Sequence, residues 1–369
     1  MADRANPPSE GGRSRREGRA GEDRSLYGAI DLGTNNCRLL VARPTRHGFR
    51  VVDAYSSVVR LGEGLAASGA LSESAMSRAS EALKVCRQKL ERRGVQEFRC
   101  IATQACRTAS NGSDFLERVK SETGLRFDLI SPREEARLSV LGCVNLIDQD
   151  MDVCLVVDIG GGSTELSWVD VAELRRRQQS RHAPPPIRAW GSAPVGVVTL
   201  AERFPETQPR EDWYEAMKAA ARETLRPIAA PAKFAEAFAA GRGQIIGTSG
   251  TVTSIAGVHM RLPRYDRRHV DGSWLTAEEA RAAVRRLREM DVAGRAKEPS
   301  IGPERADLVL AGCAIFEAVM DDWPAPRLRV ADRGLREGVL YGLMGRFRPR
   351  RRKRRRRRGR GRAKTGTPQ

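Results

Sequence analysis

Histidine is scarce in this chain. Four occur in 369 residues, at positions 47, 182, 259 and 269, too scattered for chemistry built on a histidine cluster. The seven cysteines, at 37, 86, 100, 106, 143, 154 and 313, are odd in number and form no CxxC pair. That argues against a disulfide framework and against a structural zinc site. No apolar run approaches the ~18 residues that a membrane helix needs. Residues 1–23 are polar and lack the apolar stretch of a signal peptide. A GxxxxGK[ST] phosphate loop is also absent. A cytoplasmic location is the expectation these absences leave.

What the chain has in excess is positive charge. Of the net +19, fourteen charges sit in residues 346–364, which contain no acid, so the remainder is only mildly basic. Hydrophobic residues make up 40% of the sequence, enough to build cores, and the length predicts roughly two domains. Residues 1–25 are rich in Gly, Arg, Ser and Pro and read as a disordered arm; residues 346–369 read as a disordered basic tail. Between them, strand-like and helix-like segments alternate, which predicts an α/β fold. Strands are expected at 27–33, 37–42, 49–59, 98–103, 126–130, 153–157, 244–246 and 328–330. Helices are expected at 72–93, 113–122, 133–145, 213–225, 231–240, 276–290, 303–321 and 335–344, and a loop at 175–186. Domain I, 26–139, carries one strand-Asp-x-Gly turn; domain II, 140–345, carries a second in the corresponding place. Two similar halves facing a cleft are expected.

Three small-residue loops follow strands. In Asp31-Leu-Gly-Thr-Asn-Asn36, the turn at Gly33 points backbone N–H groups outward to cradle an anion. Thr34, Asn35 and Asn36 add side-chain donors, and Asp31 is placed to hold a metal or order a water. A plain glycine turn is the competing reading. In Asp158-Ile-Gly-Gly-Gly-Ser-Thr-Glu165, the run Gly160, Gly161, Gly162 has a large chain-entropy cost, which close backbone approach to a ligand would justify; Ser163 adds a hydroxyl. Asp158 and Glu165 offer hard oxygens suited to Mg²⁺, with a flexible hairpin as the alternative. Gly247-Thr-Ser-Gly-Thr251 supplies Thr248, Ser249, Gly250 and Thr251. Arg107 follows a strand end, where its planar fork can clamp phosphate oxygens. Glu134 and Glu135 open a helix; one facing a cleft would orient a water for attack on phosphorus. Acids in a first helical turn are also ordinary helix-dipole partners.

Taken together, seven blocks resemble the exopolyphosphatase / guanosine pentaphosphate phosphohydrolase family, within the actin and sugar-kinase superfamily. They are AIDLGTNNCRLL (29–40), ATQACRTASN (102–111), EEARL (134–138), VVDIGGGSTEL (156–166), GTSGTVTSIA (247–256), RADLVLAGCAI (305–315) and RVADRGLREGVLYGL (329–343). The resemblance implies two ribonuclease-H-like domains around a cleft and Mg²⁺-dependent hydrolysis of a terminal phosphoanhydride, with Mn²⁺ as a substitute. It implies Glu135 as the base for the attacking water, Arg107 on phosphate, Asp158 and Glu165 organising the metal, and loops 33–36, 160–163 and 248–251 on phosphoryl groups. It also implies a homodimer. Asn36 stands where the family usually has Ser, and Ser131-Pro132-Arg133 where it usually has a Gly turn. The chain resembles the short form, without the His/Asp metal-binding helical domain of larger members. Inorganic polyphosphate and guanosine pentaphosphate are the expected substrates, and the sequence does not rank them. A kinase-like or ATP-hydrolysing member of the superfamily is one alternative. A polyanion- or nucleic-acid-binding protein, acting through the tail, is another.

Overall fold

The structure, a computed structural model, describes residues 25–46, 48–177, 184–207 and 210–345. The arm up to residue 24 and the tail lie outside the described residues, as do residues 178–183 of the expected 175–186 loop. Residues 171–177, by contrast, form a short helix, Val171–Arg177.

Strand β1 is Tyr27–Leu32, β2 Asn36–Thr45, β3 Gly48–Val58, β4 Glu97–Ala102 and β5 Phe127–Leu129; they form one sheet in the order β3-β2-β1-β4-β5. Strand β6 is Val153–Ile159, β7 Thr164–Asp170, β8 Ile187–Ala193, β9 Gly243–Thr248, β10 Trp274–Thr276 and β11 Arg327–Ala331; the second sheet runs β10-β11-β9-β6-β7-β8. In each sheet a three-stranded antiparallel meander is extended by two parallel strands on the side of its first strand, and in the second sheet β10 adds an antiparallel edge. The predicted likeness of the two halves is therefore a likeness of topology. Asp31 is the penultimate residue of β1 and Asp158 that of β6, so the repeat places two carboxylates at equivalent strand ends.

Alternation along the strands divides the cores as period-two geometry requires. On β1, Ile30 and Leu32 pack under the Glu73–Arg92 helix, while Tyr27 and Ala29 face the opposite core. Ser72 caps the Glu73–Arg92 helix by accepting from Ala75 N, as its position predicted. Strand β6 is apolar on both faces because helices cover both.

Two helices join the halves. Pro132–Cys143 contributes Leu138 to the core of the first sheet and Val140 and Cys143 to that of the second. The expected boundary at 139/140 falls inside this helix, which serves both sheets. Leu335–Leu343 crosses back, burying Val339 and Leu340 against the first sheet. The two helices touch through glycine: a Cβ on Gly142 would overlap the carbonyl of Gly334, and one on Gly338 would overlap that of Leu138. Glu337 anchors the second helix, accepting from Gly334 N and from Arg267 Nη2, each at 2.8 Å.

The expected 303–321 helix starts at Val309 instead. Pro303 and the left-handed Gly302 (φ 74) leave 303–308 as turns, with consequences for the cleft described below.

Overpacking a tight contact costs about 1–3 kcal/mol. Gly142→Ala and Gly338→Ala are therefore expected to lower stability by that amount in urea unfolding. Gly342→Ala, on the same helix with open space around its Cα, is expected to raise it by about 0.5–1 kcal/mol through helix propensity.

Candidate active site

The cleft between the sheets encloses about 1160 Å³, counting its open mouth, and gathers residues from all three glycine-containing loops. Gly33, Thr34, Asn35 and Asn36 line it from the first half; Gly160 to Ser163 and Thr248 to Thr251 line it from the second. Asp31, Asp158, Glu165 and Glu135 line it as well.

Each loop is held by a local device. Gly33 N donates to Asn36 O at 2.9 Å, closing the first turn. The second loop is the turn of the β6-β7 hairpin, with Gly160 N bonded to Ser163 O at 2.8 Å. It is therefore a hairpin and a cleft wall at once. Its carbonyls are taken by the Val197–Arg203 helix, through Val197 N to Gly160 O and Val198 N to Gly161 O. That helix was not anticipated. A Cβ on Gly161 would overlap Thr34, and one on Gly162 would overlap Gln104, so loops of opposite halves meet at backbone distance. Here glycine is required by close approach.

The third loop is two structures in succession. Gly247 and Thr248 finish β9, whereas Gly250 opens the helix Gly250–His259. Ser249 between them sits at φ 98, a strained conformation of the kind that accumulates at functional sites. The first turn of this helix presents N–H groups and the positive end of its dipole to the cleft. Thr248 serves the frame of the cleft, because its hydroxyl donates to Arg333 O at 2.7 Å.

The Pro132–Cys143 helix carries Glu135 and, one turn on, Ser139. Ser131 accepts from Glu134 N and Pro132 occupies the first turn, so the expected departure before the Glu pair is a well-formed helix start. Glu135 is buried, while Glu134 points to Arg137 and Arg99. Arg107 stands beside the cleft carboxylates Glu135 and Glu165. Its Nη1 donates to Ile130 O at 2.7 Å and to Glu135 Oε2 at 3.3 Å, which makes it the holder of Glu135. Ser139 Oγ donates to Asp158 Oδ2, and Ser192 Oγ to Glu165 Oε1 at 2.7 Å.

The electrostatics are unbalanced. Burial lifts Asp31 to about 6 and Glu165 to about 7. It also raises Asp158, and it pushes Glu135 well above the usual carboxylate range, with the nearby Glu165 adding to the effect. Against these stand Arg38, Arg305 and Arg336, which line the same cleft and, among the described residues, make no ion pair within 4 Å. Asp31 Oδ1, Asn35 Oδ1 and Ser249 Oγ are buried without a hydrogen-bond partner. Such groups are costly unless something else completes them. Among the described residues no three His, Cys, Asp or Glu side chains stand together as a metal cage.

Arg38, Gln104, Arg305 and Arg336 were given no role from sequence. Two signals were available. Arg38 lies two residues beyond Asn36 on one strand and so shares its face. The strand-Asp-x-Gly pattern recurs a third time at Asp332-Arg333-Gly334, just before Arg336.

Residues 40–347 match the Ppx/GppA phosphatase family. The solved structure of the Aquifex aeolicus family member is 27% identical, with a TM-score of 0.70 over 87% of this chain and 97% of that one. An exopolyphosphatase from Cytophaga hutchinsonii is 26% identical, with a TM-score of 0.75 over 87% and 98%. An exopolyphosphatase-like protein is 28% identical, with a TM-score of 0.72 over 86% and 97%. With the duplicated actin-like fold, the loops meeting across the cleft and a family match over most of its length, the chain belongs to the Ppx/GppA phosphatase family and is a phosphohydrolase.

Proposed function

We propose that this protein is a Mg²⁺-dependent hydrolase of terminal phosphoanhydrides, acting on inorganic polyphosphate, guanosine pentaphosphate or both. The observation that carries the reading is the charge pattern of the cleft. Arginines without ion-pair partners among the described residues line the cleft together with backbone N–H groups and the buried carboxylate of Glu135, at the place where two halves meet.

Phosphoryl groups bind through the N–H groups of loops 33–36 and 160–163, the first turn of the Gly250 helix, and the guanidiniums of Arg38 and Arg305. Catalysis of phosphoryl transfer is largely positioning and charge stabilisation. Glu135 accepts the proton of a water held between it and the terminal phosphorus. Its raised affinity for protons suits a general base, and the bond from Arg107 fixes the direction of its carboxylate. Water oxygen bonds to phosphorus, the bridging P–O bond breaks, and the shortened chain leaves as an anion stabilised by the arginines.

Asp31, Asp158 and Glu165 offer carboxylate oxygens, one of them orphaned. That suits Mg²⁺, which needs only one or two carboxylates when waters and substrate phosphates complete its shell. Bound there, the ion would neutralise phosphate charge.

Incubating pure protein with Mg²⁺ and long polyphosphate, guanosine pentaphosphate or ATP tests the activity. Phosphate release from either of the first two is expected; it should stop with chelator and return with Mg²⁺ or Mn²⁺. Release from ATP alone would refute the reading, and full activity in excess chelator would refute the metal.

Glu135→Gln is expected to cut kcat by ~10²–10⁴-fold with little change in substrate binding, and Glu134→Gln to have far less effect. The same Glu135→Gln change should stabilise the free protein. Its folded-state pKa is raised, so the penalty for ionising it is absent below the unfolded-state value, grows as pH rises between the two values and is complete above the folded one. The gain in Tm over wild type is therefore larger at pH 8 than at pH 5. An equal gain at both pH values would contradict the burial-driven shift.

The basic segment 346–364 supports a tether for polyanions, whose contacts release counterions and weaken with salt. Deleting residues 346–369 should raise KM for long polyphosphate at low salt, leave kcat unchanged and abolish most non-specific nucleic-acid binding. Unchanged KM and binding would leave the tail without this role. A homodimer is the assembly proposed, checked by sedimentation of the full chain.

A further inference from the structure

The two halves meet at a second place, away from their connecting helices. After β3, residues 59–64 fold under the first phosphate loop. Val59 N and Arg60 N both donate to Asn35 O, at 2.9 and 3.0 Å, and Gly62 N donates to Thr34 O at 2.9 Å. From the Glu73–Arg92 helix, Arg78 holds the other side, its Nε donating to Val59 O at 3.0 Å and its Nη2 to Glu63 Oε2 at 2.8 Å. Arg60 itself lies at φ 47, a left-handed conformation unfavourable for a long side chain. The surrounding bonds enforce it.

That conformation sends the Arg60 guanidinium across to the second half. Nη1 donates to Asp307 Oδ2 at 2.8 Å; Nη2 donates to Asp307 Oδ1 at 2.9 Å and to Glu304 O at 3.2 Å. The acceptors sit on either side of Arg305, in the turn that delays the start of the Val309 helix. Gly64 N adds a bond to Glu202 Oε1 at 2.8 Å. Glu202 belongs to the Val197–Arg203 helix that holds the glycine loop. The fork of Arg60 thus ties the Thr34–Asn35 loop to the turn that carries Arg305.

We propose that Arg60 is a positioning residue: its bidentate bond to Asp307 latches the halves together, so that phosphoryl groups are gripped by the first loop and by Arg305 at once. The inference takes its substrate from the phosphohydrolase reading above. The pair is partly exposed, 30% and 42%, so it adds little to global stability. A latch needs only to bias closed against open arrangements, for which a small free-energy difference suffices. The glycine contact of the two connecting helices forms the opposite, permanent junction.

Phosphate release from polyphosphate with Mg²⁺ is to be measured for Arg60→Ala, Asp307→Ala, the double variant, and the exchange Arg60→Asp with Asp307→Arg. Aspartate tolerates the left-handed backbone at position 60. Each single change should raise KM by ~3- to 10-fold with kcat within about twofold, and the double should be no worse than the worse single, as expected of one shared interaction. The exchange should recover most of the loss. Independently of turnover, spin labels on Ser68→Cys and Ala216→Cys, exposed in opposite halves, should give a broader distance distribution in the Arg60→Ala background. The native cysteines are buried and leave the labelling selective. Additive KM effects, or an unchanged distance distribution, would overturn the latch. A wild-type protein inactive on polyphosphate would overturn the proposed substrate, and the label distances would still decide the latch.

Discussion

Everything in this molecule hangs on the backbone contact between the Pro132–Cys143 and Leu335–Leu343 helices. Gly142 and Gly338 let each helix approach the other's carbonyls more closely than any side chain would permit. Glu135 and Ser139 project from one of these helices; Arg336 and Glu337 project from the first turn of the other. The distance between the candidate base and Arg336 is therefore set by two hydrogen atoms on two α-carbons. Close-packed interiors transmit displacement, so a shift here would move the cleft walls on both sides.

Held on that frame, the cleft is electrostatically incomplete. Four carboxylates stand at the meeting of the two sheets, Glu135 and Glu165 buried and Asp31 and Asp158 partly so, each raised by desolvation. Three cleft arginines lack carboxylate partners among the described residues. In an ordinary core such groups would pair with one another or be replaced. Their persistence apart, separated by glycine loops, is the signature of a site whose remaining charges arrive with the ligand. Perturbed carboxylates cluster where function demands them, and the family match gives that inference its chemical content.

Much of this was legible in the sequence, and the boundary of legibility has physical causes. Strands and helices with clean periodicity, such as β6 and the Glu73–Arg92 helix, were readable because burial imposes the pattern. The three loops were readable because glycine runs after strands carry an entropy cost that demands a reason. Strands β7 and β8 were not: β7 is buried along its whole length and so shows no apolar–polar alternation, and Ser167, Gly191 and Ser192 have little strand preference. The bonds of Arg107 to Ile130 O and Glu135 were not legible because a side chain's reach depends on what stands beside it, and those partners are 23 and 28 residues away. Arg60 was invisible for the same reason: its partner lies 247 residues further on.

The crossing-back of the last helix has a temporal side. Tyr27, Ala29 and Leu40 emerge early in synthesis, yet the face they form is covered by Val339 and Leu340. Chains lengthen by roughly 5–20 residues per second, so that apolar face waits tens of seconds for its lid. Nascent chains must therefore pass through an interval in which the first half is paired as a sheet but covered on one side by little more than Ile130 and Leu138. A stop codon shortly before Leu335 would strand the molecule there, and the half nearest the N-terminus would be the one left sticky.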